Sequence, residues 1–285
     1  MGLVLAGMLL AGCGSGTTAV TAASSRSPAP SPASSSAGVS GTVSGAPSSS
    51  APAAPGPLSR RCDEPTVSSR SVPFRASDGV ALDGVETGTG RRGVVLVNEL
   101  GRRQLCGWAE YAGRLAASGF RVLLFDQRCN GASACPVNDS GGYLARDVAG
   151  AAARLQADGA SSVQLIGASQ GGGVVVAAGG MRLAGVRSVV ALSPAILTEN
   201  FGAGTAQALA AKVNVPLLVA VGPLDPDSPL PDVRQLAAAV PPALVRFELQ
   251  SPDAGHGWDM LRDTQTGAPN ALAATVLSFL RTHGR

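Results

Sequence analysis

Five short apolar runs recur along the chain and restrict it to few architectures: Val94–Val97, Val122–Phe125, Val163–Ile166, Val189–Leu192 and Leu217–Val221. Each is nearly continuous rather than alternating. A strand buried on both faces reads this way, because helices cover both sides of a parallel sheet. A sixth run differs: Val245, Phe247 and Leu249 alternate with Arg246, Glu248 and Gln250, the pattern of a half-exposed edge strand. Between the runs lie faces of helical period, formed by Trp108, Tyr111, Ala112 and Leu115, by Leu144, Val148, Ala151 and Leu155, and by Leu272, Val276, Phe279 and Leu280. This alternation predicts an α/β fold with a mostly parallel central sheet and helices on both faces. Upstream, apolar residues flank Ser77-Asp78-Gly79, an Asp-Gly turn that predicts an N-terminal hairpin.

The first fifth of the chain follows other rules. Gly14 to Pro57 is mostly Ser, Ala, Pro, Gly and Thr, with Arg26 as its single charge. Such a segment cannot bury enough apolar surface to repay ordering, so residues 13–57 are expected to form a disordered linker. Its reach is roughly 35–40 Å if it behaves as a flexible coil. Before it, Leu3 to Ala11 is apolar but far shorter than the ~20 residues of a membrane helix. The run ends in Leu10-Ala11-Gly12-Cys13, which resembles the lipobox of bacterial lipoproteins, although no Lys or Arg precedes it. The resemblance implies a signal peptide over residues 1–12, lipidation at Cys13, and a location on the outer face of the cell membrane or outside the cell. The remaining residues, 58–285, are expected to form one domain.

The charge pattern excludes one class of partner. The net charge of +3 comes with no basic cluster on any predicted helix or loop, which argues against a nucleic-acid surface. Four cysteines follow the linker: Cys62, Cys106, Cys129 and Cys135. In an exported chain an even number predicts two disulfides, with three pairings open; free buried thiols are the alternative. Cys106 and Cys129 both follow strands on the carboxyl side of the sheet. With no C-x-x-C and only His256 and His283, a zinc site is not expected.

The chemistry concentrates in three places. The run Val163–Ile166 leads into Gly167-Ala168-Ser169-Gln170-Gly171 and then a small apolar helix pattern. This is G-x-S-x-G, a strand-to-helix turn that exposes a serine hydroxyl at the edge of the sheet. In a chain with 37 glycines the five letters alone mean little; the strand before and helix after give them weight. A serine needs a base within hydrogen-bond reach. His283 lies third from the end, where a frayed tail is expected. His256 lies in a loop directly after the edge strand, where the Ser…Asp…His order puts it. The orienting acid should follow Leu217–Val221, where Asp225 is preferred to Asp227; both also suit a turn.

From Val72 onward the chain resembles an α/β-hydrolase. Asn98-Glu99-Leu100-Gly101 resembles the His-Glu-x-x-Gly region of dienelactone-hydrolase-like members, and so does Asp253–Leu261 with its Gly-His-Gly core. Asp126–Ser133 resembles their Asp-x-Arg-Gly-x-Gly-x-Ser loop. The chain departs at Asn98, where the family has His, at Cys129, where it has Gly, and at the nucleophile, which in dienelactone hydrolase itself is Cys. The resemblance implies a cofactor-free serine hydrolase, carboxylesterase-like, with an oxyanion hole formed by the backbone N–H of Gln170 and one from the loop after the third strand, that of Leu100 or, as the alternative, Glu99. Glu99 either shapes the site or pairs with Arg102 or Arg128. The stretch Ser193 to Val213 is too short for a large lid, so the expected substrate is a small or surface-exposed ester and the expected state a monomer. A peptidase or amidase of the same fold, and a catalytically silent ligand-binding lipoprotein, are the rival readings.

Overall fold

The computed structural model describes residues 56–63, 67–101, 103–136, 144–196 and 206–284. The residues read as a signal peptide, Cys13 and the residues up to 55 read as a linker lie outside the described residues, as does part of the short stretch read as lacking a lid.

Among the described residues ten strands form: β1 (Ser69–Ser71), β2 (Phe74–Arg75), β3 (Ala81–Leu82), β4 (Gly84–Thr87), β5 (Arg92–Val97), β6 (Phe120–Phe125), β7 (Ser162–Ala168), β8 (Val186–Leu192), β9 (Leu217–Val221) and β10 (Val245–Leu249). β2 and β3 pair as the small antiparallel hairpin predicted around Asp78-Gly79. The other eight make one sheet in the order β1-β4-β6-β5-β7-β8-β9-β10. All neighbours from β6 through to β10 are parallel, while β4 and β1 extend that edge antiparallel.

The helices are α1 (Leu58–Arg61), α2 (Ala109–Ala117), α3 (Leu144–Ala157), α4 (Gln170–Gly180), α5 (Ala206–Ala210), α6 (Leu230–Ala239) and α7 (Ala271–His283), with 3₁₀ turns at Gln104–Trp108 and Gly257–Leu261. They divide between the faces of the sheet. Val95, Val97, Leu123, Phe125 and Leu165 pack with apolar residues of α3, α4, α5 and α6. Val94, Leu96, Val122, Leu124 and Ile166 pack with α2, α7 and both 3₁₀ turns. Each central strand thus feeds two cores, which is why its sequence reads as an unbroken apolar run.

The order β6-β5-β7 carries the functional consequence. β5 connects to β6 on one side, and the chain then crosses to β7 on the other. The crevice outside the carboxyl ends of β5 and β7 is therefore a topological switch point, where ligands bind in open α/β sheets.

Three differences from the sequence expectations have physical causes. β1 and β4 carry polar residues and are held by pairing with β4 and β6, so no apolar period marks them. Leu249 faces solvent although its period places it with Val245 and Phe247, because β10 has a neighbour only in β9 and ends there. His283 is not frayed: α7 runs through it, and its ring lies 4.6 Å from that of Phe279, one turn earlier. It also lies beside Pro216 and Leu244, at the opposite edge of the sheet from the carboxyl ends.

Candidate active site

Ser169 sits at the carboxyl end of β7, immediately before α4, with φ +50° and ψ −116°. A non-glycine residue at positive φ is strained, and three backbone bonds hold it there. Ser169 N–H donates to Leu192 O (2.9 Å), while Ser169 O accepts from Gly173 N–H (3.1 Å) and Ala195 N–H (2.8 Å). The flanking glycines are required by space. A Cβ at 167 would run into the carbonyl of Gly171, and one at 171 into the carbonyls of Val97 and Asn98, the latter at 2.6 Å. Removing both side chains lets the start of α4 lie directly against β7 and the end of β5.

His256 and Asp225 are brought together from loops 31 residues apart. Asp225 follows β9, its side chain fully buried, and both its carboxylate oxygens lie 2.9 Å from His256 Nδ1. The carboxylate is fixed in turn: Oδ1 accepts from the backbone N–H groups of Asp227 and Ser228, each at 3.1 Å. Asp227 itself is exposed and supplies a turn, leaving Asp225 as the imidazole's partner. Ser228 Oγ donates to Ser193 O at 2.6 Å, tying this loop to the one after β8. Asp225, Asp227 and His256 are the one trio among the described residues spaced to hold a metal ion, but Nδ1 of His256 is already committed to Asp225.

The histidine loop is pinned from behind. Trp258 packs edge-on against Trp108 at 5.6 Å, and Gly107 leaves room for its ring, since a Cβ there would collide with it. Gly257, at φ +57°, backs onto the nucleophile strand: a Cβ there would stand 3.3 Å from Ala168 Cβ. Among the described residues no hydrogen bond joins Ser169 to His256, a contact that commonly tightens only with substrate bound.

A family model described as serine aminopeptidase, S33, matches residues 91–239, just over half of the 285 residues. The chain belongs to this family of α/β-hydrolases. No curated protein matches it. Among solved structures it is similar to a Pyrococcus furiosus esterase (19% identity, TM-score 0.62, covering 77% of this chain and 93% of that one). It is also similar to a monoacylglycerol lipase from Paleococcus ferrophilus (18%, TM-score 0.58, 71% and 99%) and to an enol-lactonase from Burkholderia xenovorans (20%, TM-score 0.58, 73% and 100%). At these identities the likeness is one of fold.

In this hydrolase the loops around the crevice are tied individually. The cysteines pair as Cys62–Cys106 and Cys129–Cys135. The first fastens α1 to the 3₁₀ turn after β5, beside Arg61, which reaches Asp83 and Asp126. The second closes the loop after β6. Cys129 adopts φ +62°, the left-handed region that favours glycine, and is tied there to Cys135. Gln127 Nε2 donates to Asn98 O at 2.8 Å and so braces the loop after β5.

Leu100 lies on that loop and is 70% exposed, and Gln170 opens α4 directly after Ser169. Of the two readings of Glu99, the pairing with Arg128 does not form. Arg128 is engaged by Asp147 and Asp78, not by Glu99, and Arg102 lies outside the described residues. Instead Glu99 Oε2 is buried with no hydrogen-bond partner, against the Cα of Gly257, where any Cβ would collide with it. Burial pushes its carboxyl up to about 7, His256 opposing the rise and Asp259 adding to it. The sequence signal for this cradle was the glycine after His256, which its φ of +57° also favours.

Proposed function

We propose that the chain is a carboxylesterase-like serine hydrolase that works through an acyl-enzyme at Ser169. The observation that carries this reading is His256 Nδ1 held 2.9 Å from both oxygens of a buried Asp225, on a loop that backs onto the residue preceding a strained serine. That bond leaves His256 Nε2 to serve the serine. In the first step Nε2 takes the Ser169 Oγ proton as Oγ bonds to the ester carbonyl carbon. The carbonyl oxygen becomes an oxyanion, met by the backbone N–H groups of Leu100 and Gln170. The intermediate collapses by breaking the bond to the leaving oxygen, which receives the proton from Nε2. Water then repeats the sequence: His256 takes its proton, hydroxide bonds to the acyl carbon, and Oγ leaves with the proton. No cofactor enters.

The substrate is a small ester, and the site is similar to that of dienelactone-hydrolase-like members. The enzyme is exported and tethered through Cys13; the lipobox-like start and two disulfides, which persist in oxidising compartments, support this. The family description favours one second reading, cleavage of an amide by the same steps. The test is hydrolysis of 4-nitrophenyl butyrate against an aminoacyl 4-nitroanilide. Ser169→Ala and His256→Ala should each lose about 10³-fold or more in kcat. Esterase activity surviving in folded Ser169→Ala would overturn the reading.

A further inference from the structure

The hydroxyl of Ser228 takes no part in the steps above, yet it is fully buried and donates to Ser193 O at 2.6 Å. Ser228 thus faces two ways. Its backbone N–H donates to Asp225 Oδ1 at 3.1 Å, while its side chain reaches across to the loop that follows β8. A buried hydroxyl is costly unless it is hydrogen-bonded, so the residue marks a place where the fold uses that bond.

The loop after β8 is where the three parts of the site converge. It clamps Ser169 from both sides of Ser193: Ser169 N–H donates to Leu192 O at 2.9 Å, and Ala195 N–H donates to Ser169 O at 2.8 Å. Ser193 is buried and, like Ser169, sits at positive φ, here +44°. A non-glycine residue stays in that region only when its surroundings over-determine it. They do so here. Ser193 N–H donates to Ala220 O at 2.8 Å, its carbonyl accepts from Ser228, and its hydroxyl donates at 3.4 Å to Sδ of Met260, on the turn that follows His256. The acid turn depends on this tie. From Gly222 to Ser228 its one backbone–backbone hydrogen bond among the described residues is Asp225 N–H to Gly222 O, long at 3.4 Å. Leu224 and Asp227, which flank the acid in that turn, are exposed. An imidazole is oriented only as well as its carboxylate is held.

We propose, resting on the serine-hydrolase reading, that Ser228 is a positioning residue: its hydroxyl, through the carbonyl of Ser193, registers Asp225 against Ser169. It touches neither the substrate nor the reacting atoms. Its effect on the rate passes through the carboxylate of Asp225, and that separates it from a hydroxyl that only stabilises the fold.

The experiment is a double-mutant cycle on the full chain, with kcat and KM for 4-nitrophenyl butyrate measured in the wild type, Ser228→Ala, Asp225→Asn and the double variant. A displacement of about 1 Å can cost a reaction about 10²-fold, so losing one tie of the acid turn should lower kcat about tenfold and leave KM within about twofold. In the Asp225→Asn background Ser228→Ala should lower kcat by less than about twofold, because residues that act as a unit do not add. Ser228→Cys is close in size but donates only weakly, and its kcat should fall between those of Ser228→Ala and the wild type. If Ser228→Ala does not fold, Ser228→Cys carries the same cycle. Loss by one common factor in both backgrounds, the mark of a merely structural role, would overturn the proposal. So would a folded Ser228→Ala that keeps the wild-type kcat, with or without a change in KM. A folded wild type that cleaves neither this ester nor the aminoacyl anilide, and whose serine resists fluorophosphonate, is a separate and recognisable result: the hydrolase reading then fails, and the proposal with it.

Discussion

Replacing Glu99 by glutamine should make the protein more stable, and the gain should depend on pH in a defined direction. The ordinary value for this carboxyl is 4.5, and in the fold burial raises it to about 7. The folded protein thus keeps a proton that the unfolded chain releases, so the carboxyl's contribution to stability falls as pH rises from 4.5 to 7 and stays low above that. The gap corresponds to about 3 kcal/mol, which partial exposure of the side chain reduces to about 2 kcal/mol. For a domain of this size that is roughly 4–8 °C in melting temperature. Glutamine is nearly the same shape and never ionises. Thermal melts of wild type and Glu99→Gln should therefore coincide within a degree or two near pH 4.5 and diverge by pH 8, with the variant higher. Comparing the two proteins at each pH cancels the other buried carboxyls, Asp83, Asp126 and Asp147, whose values burial also raises. A variant that is equally displaced at both pH values, or less stable at pH 8, would refute the claim that an unpartnered charge is buried beside His256.

Other consequences can be measured directly. Asp225→Asn should retain the fold and lower kcat on nitrophenyl esters by about 10³–10⁴, because the imidazole loses the partner that fixes its tautomer; burst and steady-state kinetics check this. Gly171→Ala should cost at least about 2 kcal/mol in urea unfolding, since its Cβ meets the carbonyls of Val97 and Asn98 with no side chain able to yield. Replacing both members of Cys62–Cys106, which are 44 residues apart, should cost about 4 kcal/mol; doing the same at Cys129–Cys135, 6 apart, should cost about 2 kcal/mol. The order of the two in denaturant midpoints is the test.

The central sheet was legible because burial on both faces writes itself into composition: each of the five continuous runs became a strand of the main sheet. The elbow was legible for a related reason, since Gly167 and Gly171 are there to let backbones approach. What escaped was whatever a partner distant in sequence decides. Ser69–Ser71 is a strand only because Gly84–Thr87 lies beside it. The cysteine pairing depended on α1 folding back to the turn after β5, which no spacing announces. Glu99 had two plausible arginines within reach in sequence; Arg128 is drawn instead to Asp147, a buried residue on α3 that its helical period alone would leave unremarked. His283 is the converse case: Phe279 four residues earlier marks a helix face that includes it, a signal present in the sequence and discounted for lying near the end.

The claim on which the account stands is an activated serine at one position. Purified protein should be treated with a fluorophosphonate probe and the labelled peptide identified by mass spectrometry, with Ser169→Ala and His256→Ala alongside. The account predicts a single adduct on Ser169 in the wild type and none in either variant. A folded wild type that takes no label, or takes it on another residue, would contradict it.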